Sequence, residues 1–459
     1  MLKFLDSDSD TNDLNPEQKR AYKIMLSGAN MFLTGPGGTG KSYLIEKYFT
    51  KATKLYGREG VAKTSTTGIS ALNIKGRTIH SWAGIGYGED PVDDIIQNMT
   101  PYVRNNWRNA RVLIIDEVSM LHPDILDKLY EISLRVRNQK DNLQFIFVGD
   151  PFQLPVVKCK KQFFEATCWP ILIKKKNVVS LTKSMRQQDA DFQYILNRIR
   201  VGRCTEPLER ILQERVGARL ENEWGIMPTR LHSTNVAVDT INAEELQKLI
   251  SEGRQCHKYV AKYSVKYNFS TKKDQQLIDD FKKISNTDDN LVLVVGAQVM
   301  IKKNMRTISE HLVNGARGVV VGFEANELGQ QVPIVRLLNG LLYTIDLTEF
   351  EHKIKGVFEV RKLCVPLKLA WACSIHSSQG LTLDYVEADL GTSIFTYGQS
   401  YVVLSRVRSI EGLTLSAFEQ TRIKVHPLVL KEFATEVHTA MNLGCFPEVI
   451  VDIVIDYLM

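Results

Sequence analysis

Gly35-Pro36-Gly37-Gly38-Thr39-Gly40-Lys41-Ser42 is the stretch from which the rest of the chain can be read. A short apolar run, Met31-Phe32-Leu33, precedes it, and Leu44, Ile45, Tyr48 and Phe49 follow at helical spacing, so the stretch joins a strand to a helix. In that setting the pattern is a phosphate-binding loop. Its glycines let successive backbone N–H groups turn inward, and the new helix offers the positive end of its dipole. Lys41 is placed to reach the outer phosphates of a nucleotide, and the Ser42 hydroxyl to ligand Mg²⁺. A plain glycine turn with a stray lysine would need neither the spacing nor the flanking strand and helix.

Working outward, Val112-Leu113-Ile114-Ile115 is a continuous apolar run, as a parallel strand buried on both faces requires. It ends in Asp116-Glu117. Two carboxylates at the end of a buried strand are costly unless a cation or a proton transfer uses them. With a phosphate loop upstream, Asp116 is assigned to Mg²⁺, directly or through water, and Glu117 to the water that attacks a γ-phosphate. His122-Pro123 then starts a helix with an apolar face of Leu121, Ile125, Leu126, Leu129, Ile132 and Val136. A third strand, Phe145 to Val148, delivers Gly149-Asp150-Pro151-Phe152-Gln153, which puts Gln153 at the carboxyl end of a strand, where open α/β sheets bind ligands. Upstream, Asn15 reads as the cap of a helix with Pro16 in its first turn, and Gln18 by itself as an exposed helix residue.

The hydroxyl cluster Thr64-Ser65-Thr66-Thr67 can bond phosphate oxygens, and His80 and Trp82 offer a polar edge and a stacking face to unpaired bases, although Trp82 alone reads as core. Beyond Lys174-Lys175-Lys176 the strand and helix alternation restarts, at Val178 to Ile199 and again at Ile226 to Ile250, around Pro228-Thr229-Arg230. This second α/β segment has no phosphate loop. From about 255 to 365 short β-rich runs broken by glycine and asparagine suggest a small antiparallel barrel inserted into it. The second segment resumes with Ala370 to Gly380, whose hydroxyls and His376 can grip a phosphodiester and whose Gly380 can approach a nucleotide. Arg406 and Arg408, read as lying on one helix, point in different directions, and Arg406 is the first choice for an arginine finger.

The chain has 459 residues, 44% hydrophobic and 24% charged, enough for two to four domains. A net charge of +6 permits a polyanionic partner. The seven cysteines show no paired C-x-x-C spacing, so neither zinc nor a disulfide framework is indicated, and a reducing intracellular compartment is expected. The first ten residues, MLKFLDSDSD, turn acidic too early for a signal peptide, and no apolar run approaches a membrane span.

Taken together, these motifs resemble a superfamily-one helicase, and within it the Pif (petite integration frequency) family of DNA helicases, from Leu14 to about Phe418. The resemblance implies an α/β fold of two RecA-like P-loop lobes with parallel sheets plus a small inserted β-barrel. It divides the chain into an acidic leader (1–13), a first lobe (14–170, with an accessory insertion at about 86–108), a second lobe (177–254 and 366–424), the insertion (255–365) and a C-terminal tail (425–459). It also implies ATP bound with Mg²⁺ between the lobes, single-stranded DNA across their top, and movement from 5′ to 3′. Residue by residue, Gln18 matches the adenine-reading glutamine, Lys41, Ser42, Asp116 and Glu117 the hydrolytic set, Gln153 the coupling glutamine, and Arg186 and Arg406 the two arginines that close on the γ-phosphate. Thr66, His80, His376 and Ser378 fall where DNA contacts are expected, and Thr229 is grouped with them. Thr66 stands where serine is usual and Ser377 where many members have lysine. The expected activity is an ATP-dependent helicase acting on single-stranded and 5′-tailed duplex DNA in replication, repair or recombination. A monomer is expected, in a nuclear, mitochondrial or viral replication setting. The competing readings are a RecD-like or RNA-preferring translocase and an ATP-gated nucleic-acid clamp.

Overall fold

In a computed structural model of the chain, the structure describes residues 11–86, 88–137, 143–156, 159–183, 189–220, 225–267, 274–285, 287–305, 307–354 and 358–433. Its packing divides into two compact units. Among the described residues, the first holds 11–208, Phe395–Val402 and 423–433, and the second holds Glu209–Ile394 and Val403–Arg422.

The first unit starts with α1 (Pro16–Leu26). Asn15 caps it by accepting the Gln18 N–H at 2.8 Å, and the Gln18 side chain accepts the Asn15 N–H at 3.1 Å. This reciprocal pair satisfies two backbone donors that a helix start leaves open. Strands β1 (Met31–Thr34), β2 (Val61–Ser65), β3 (Arg77–Thr78), β4 (Val112–Asp116), β5 (Gln144–Val148) and β6 (Val178–Ser180) form one sheet in the order β3-β2-β4-β5-β1-β6. All of its pairings are parallel. The uninterrupted apolar runs are explained by two cores. Met31, Leu33, Val112, Ile114, Ile146 and Val148 join one, with α1 and α2 (Lys41–Tyr56). Their neighbours Phe32, Leu113, Ile115, Phe145 and Phe147 join the other, with Trp107 and α3 (Pro123–Val136). Side chains alternate in a strand, so a strand covered on both faces must be apolar at every position. The residues expected to form an accessory insertion include two short helices, Val92–Gln97 and Pro101–Asn109. Helix α4 (Ala190–Arg200) follows β6, so the strand and helix at Val178 to Ile199, expected to open the second segment, belong to this first unit, where β6 pairs with β1.

The second unit begins within a helix, Glu206–Glu214, and continues with β7 (Thr229–His232) and α5 (Asn235–Ser251). Ten strands follow: β8 (Cys256–Val260), β9 (Lys262–Tyr267), β10 (Asn290–Val294), β11 (Gln298–Ile301), β12 (Arg317–Ala325), β13 (Gln331–Leu337), β14 (Leu342–Thr344), β15 (Thr348–Ile354), β16 (Phe358–Cys364) and β17 (Leu367–Leu369). They form antiparallel sheets in the orders β10-β8, β14-β13-β12-β11-β17 and β15-β16-β9. The apolar run from Leu291 to Ile301 is divided between two strands, because Gly296 takes a left-handed φ of 95° between them. The chain then returns to the first strand of this unit. Strands β18 (Ala372–Ser374), β19 (Val386–Leu390) and β20 (Leu413–Phe418) complete a parallel sheet ordered β18-β7-β19-β20. The fold is therefore α/β with two parallel sheets and an antiparallel β insertion. Two short helices complete the described chain, α6 (Gln399–Leu404) and α7 (Pro427–Glu432). Among the described residues no helix is long and apolar enough to cross a membrane.

One buried side chain ties the insertion to this second sheet. Arg317, at the start of β12 and 2% exposed, donates to the Met227 carbonyl at 2.6 Å and to Gln298 Oε1 at 3.0 Å, and more weakly to the Tyr385 carbonyl at 3.4 Å. Met227 and Tyr385 lie just ahead of β7 and β19. Arg317→Ala should therefore lower stability by at least about 2 kcal/mol, since buried carbonyls lose their donor. Urea denaturation followed by circular dichroism would show this as a lower midpoint.

Candidate functional site

The loop between β1 and α2 is shaped by left-handed glycines: φ is 135° at Gly35, 82° at Gly38 and 87° at Gly40. Gly35 also has no room for a side chain, because a Cβ there would lie 2.3 Å from the Leu181 carbonyl. That carbonyl belongs to the residue after β6, whose N–H binds the Thr34 carbonyl at 2.9 Å. At the other end, a Cβ on Gly40 would meet Gln18 Nε2 at 2.8 Å. Gln18 is thus buried against the loop, not exposed as its helix position alone suggests. Thr39 closes the loop by donating to the Pro36 carbonyl at 2.9 Å. Lys41 Nζ donates to the carbonyls of Gly35 at 2.6 Å and Pro36 at 2.9 Å. Burial pushes the Lys41 pKa down, while Asp150, Glu117 and Asp116 pull the other way.

At the end of β4 the chain makes a conformation that costs energy. Glu117 has φ 52° and ψ 45°, a left-handed setting that about 1–3 kcal/mol separates from ordinary backbone. Several contacts impose it. The Glu117 N–H binds Asp116 Oδ1 at 2.9 Å, and its carbonyl accepts the Thr66 hydroxyl at 2.9 Å and the Met120 N–H at 3.1 Å. Gly149 leaves the space opposite, where a Cβ would sit 3.0 Å from the Val118 nitrogen. Thr66, a candidate DNA contact, therefore also braces the turn that aims Glu117. Burial raises the Asp116 pKa, opposed by the Glu117 N–H and the Lys41 charge. A carboxylate held against its own desolvation is a natural ligand for a hard cation. The exposed Ser42 hydroxyl at the start of α2 supplies a second oxygen. Among the described residues there is no cluster of three or more His, Cys, Asp or Glu that could hold a metal alone. The donor set fits Mg²⁺ that takes its remaining ligands from a nucleotide and water.

Gln153 is 7% exposed, in the turn after β5, with its N–H on the Asp150 carbonyl at 3.1 Å. The residues around it were missed by sequence reasoning. Asp150, read as part of a turn, is fully buried and paired with Arg200, the last residue of α4, at 2.8 Å. Tyr401 of α6 also reaches Asp150, at 3.2 Å. A signal was present, since Phe192, Leu196 and Arg200 fall on one face of α4 at four-residue steps. An arginine continuing an apolar row announces a buried partner.

Other candidates sort by burial. His80 is half-buried, while Trp82 is core, tilted against Trp107 with ring centroids 4.8 Å apart. His122 is a helix cap, its Nδ1 accepting the Asp124 N–H. In the second unit His376 is half-buried and Gly380 is exposed with φ 77°. Thr229 is fully buried and its hydroxyl donates to the Ala370 carbonyl at 3.3 Å, so it pins the sheet and presents nothing to DNA. Ser378 is likewise buried, with its hydroxyl on the Ile375 carbonyl at 2.7 Å. Arg406 lies beyond the end of α6, not on the helix expected for it. It is 1% exposed and donates to Ser405 Oγ at 2.6 Å and the Ser378 carbonyl at 3.3 Å. Arg408 instead faces solvent and pairs with Asp384 at 3.3 Å. Arg186 lies outside the described residues.

Residues 13–210 match the family model described as PIF1-like helicase. The chain is 37% identical over 442 residues to the ATP-dependent DNA helicase PIF1 of Homo sapiens, a match covering 95% of this chain and 65% of that protein. It thus spans just under two thirds of that relative's length. Among solved structures it is similar to the Pif1 helicase from Candida albicans, with 31% identity, TM-score 0.71, and 92% of this chain and 99% of that one covered. Pif1 from Bacteroides sp in complex with ADP-AlF4 is 27% identical, with TM-score 0.72 over 93% of this chain and 98% of that one. The Bacteroides protein in complex with ADP-AlF3 and ssDNA, also 27% identical, gives 0.60 over 93% and 97%.

Burial lowers the His80 pKa below its ordinary 6.5. The unfolded chain therefore takes up this proton first as pH falls, so stability is level above about 6.5 and drops below it. His80→Asn should shrink the loss of urea midpoint between about pH 7.5 and pH 5.5, and an unchanged loss would show that the imidazole titrates alike in the folded and unfolded chain.

Proposed function

Because the chain belongs to the Pif1 family of helicases, we propose that it is an ATP-dependent DNA helicase that translocates 5′ to 3′ on single-stranded DNA and separates the strands of 5′-tailed duplexes. The observation that carries this reading is the set of groups at the carboxyl edge of the first sheet. A glycine loop with Lys41, the Asp116-Glu117 turn and Gln153 all stand at the ends of β1, β4 and β5. A binding module needs the loop, but has no use for a strained carboxylate beside it.

In this reading the N–H groups of Gly35 to Ser42 and the Lys41 ammonium bind the phosphates, giving up the loop carbonyls that Lys41 now holds. Ser42 and Asp116 would hold Mg²⁺, and Gln18 the adenine. The metal supplies positive charge against the phosphate oxygens. Glu117 takes the proton of the attacking water, aimed by the turn that Thr66 and Gly149 brace. Gln153 senses the outer phosphate, and on the family resemblance Arg186 and Arg406 complete the charge around it. Gly380 is assigned to the nucleotide, and Thr66, His80 and His376 to DNA. The domain reading extends the first lobe past 170 through β6 and α4 to Leu208, builds the second on β7, α5 and β18 to β20, and keeps 255–365 as the insertion. The Bacteroides relative solved with ssDNA supports the choice of polymer, and replication, repair or recombination of intracellular DNA is the setting it fits.

Lys41→Ala should abolish ATP turnover. Glu117→Gln should keep ATP affinity within a few-fold while hydrolysis falls by about 10²–10⁴, a split that equilibrium binding and steady-state kinetics would resolve. The proposal itself is tested by strand separation with ATP, which is expected on a duplex with a 5′ single-stranded tail and absent on its 3′-tailed counterpart. Unwinding from the 3′ tail alone would overturn the direction, and none from either would overturn the helicase reading.

A further inference from the structure

Asp150 sits three residues before Gln153, and its carboxylate is saturated with donors. Arg200 binds it through both Nη2, at 2.8 Å to Oδ1, and Nε, at 3.2 Å to each oxygen. The Phe152 N–H reaches Oδ1 at 3.2 Å, and the Tyr401 hydroxyl reaches Oδ2 at the same distance. All of these groups are buried: Asp150 and Phe152 are 1% exposed, Arg200 and Tyr401 2%. The Arg200 guanidinium also lies over the Phe152 ring, 4.2 Å from its centre. The turn is gripped from a further side. Gly398, with φ 72°, comes so close that a Cβ there would lie 2.6 Å from the carbonyls of both Phe152 and Gln153.

The Gln153 turn is thus held by α4 through Arg200 and by α6 through Tyr401 and the Gly398 backbone. A buried ion pair is a poor way to gain stability, since apolar side chains of similar size often do as well. It is a good way to fix a geometry, because a forked guanidinium on a carboxylate tolerates little displacement. The pair also keeps the Asp150 charge occupied next to Lys41, which feels Asp150 before any other carboxylate.

We propose that Asp150, Arg200 and Tyr401 are positioning residues for hydrolysis: they set the turn that places Gln153, so that turnover depends on the Tyr401 to Asp150 hydrogen bond through Gln153. This rests on the helicase reading, in which Gln153 acts on the outer phosphate. The chain after Tyr401 runs on through Val403 and Leu404 to Arg406, so a hydroxyl on α6 links the Gln153 turn to the segment bearing the assigned arginine.

Asp150→Ala would strand a buried guanidinium and endanger folding, so the test uses Tyr401→Phe, which keeps the ring and deletes one hydrogen bond. Steady-state ATP hydrolysis with saturating single-stranded DNA would be compared for wild type, Y401F, Q153A and the double variant Y401F/Q153A. Thermal melting would run alongside to confirm folding. Y401F is expected to lower kcat roughly tenfold, with KM for ATP within about twofold of wild type. The double variant is expected to turn over no more slowly than Q153A, because both changes act through one side chain. An unchanged kcat in Y401F, or a further loss on top of Q153A, would overturn the positioning role while leaving the helicase reading intact. A Q153A protein with normal turnover would remove Gln153 from the reaction and this proposal with it.

Discussion

One lysine ammonium gathered with three carboxylates at the carboxyl edge of a parallel sheet, half-buried except for the fully buried Asp150, is the grouping on which the rest of the site depends. Lys41 loses solvation there, and Asp150, Glu117 and Asp116 compensate it. Each ion so placed costs several kcal/mol unless its partners are held in position. The surrounding architecture supplies that hold. Two apolar cores on opposite faces of one sheet fix β1, β4 and β5 side by side, which brings together the residues just beyond their carboxyl ends. Arg200 satisfies Asp150.

The same edge stores strain. Glu117 sits in left-handed backbone because hydrogen bonds from Thr66 and Met120, and the open space at Gly149, leave it no better choice. Such strain persists only where neighbours over-determine it. Here it turns a carboxylate that a regular strand end would direct elsewhere. Thr66 thereby connects the strand-end hydroxyl cluster with the Glu117 turn through one hydrogen bond. Tyr401 likewise reaches the turn that carries Gln153, through Asp150.

Much of this was legible in the chain. Continuous apolar strands, the phosphate loop and Asp116-Glu117 are local patterns, and local patterns survive folding. The helix cap at Asn15 and the helix entry at His122 could be read for the same reason. What escaped depends on pairs far apart in sequence. Asp150 meets Arg200 across 50 positions and Tyr401 across 251, so a Gly-Asp-Pro turn signal gave no hint of a buried ion pair. Gln18 looked exposed because nothing in its own helix reveals that Gly40 packs against it. Thr229 and Ser378 carry hydroxyls suited to phosphate, but their burial commits those hydroxyls to backbone carbonyls. Arg406 was assigned to a helix that ends two residues earlier, yet its divergence from Arg408 persists because one is buried and the other exposed.

The central claim is that the charges at this edge hydrolyse a nucleoside triphosphate in response to a nucleic-acid strand. The most direct measurement is the steady-state rate of phosphate release from ATP by the purified chain, with and without a single-stranded DNA oligonucleotide at fixed low salt. The account predicts a rate that climbs severalfold on adding the strand and falls back as salt rises, because the strand is held through its phosphates. Equal rates with and without DNA would contradict it.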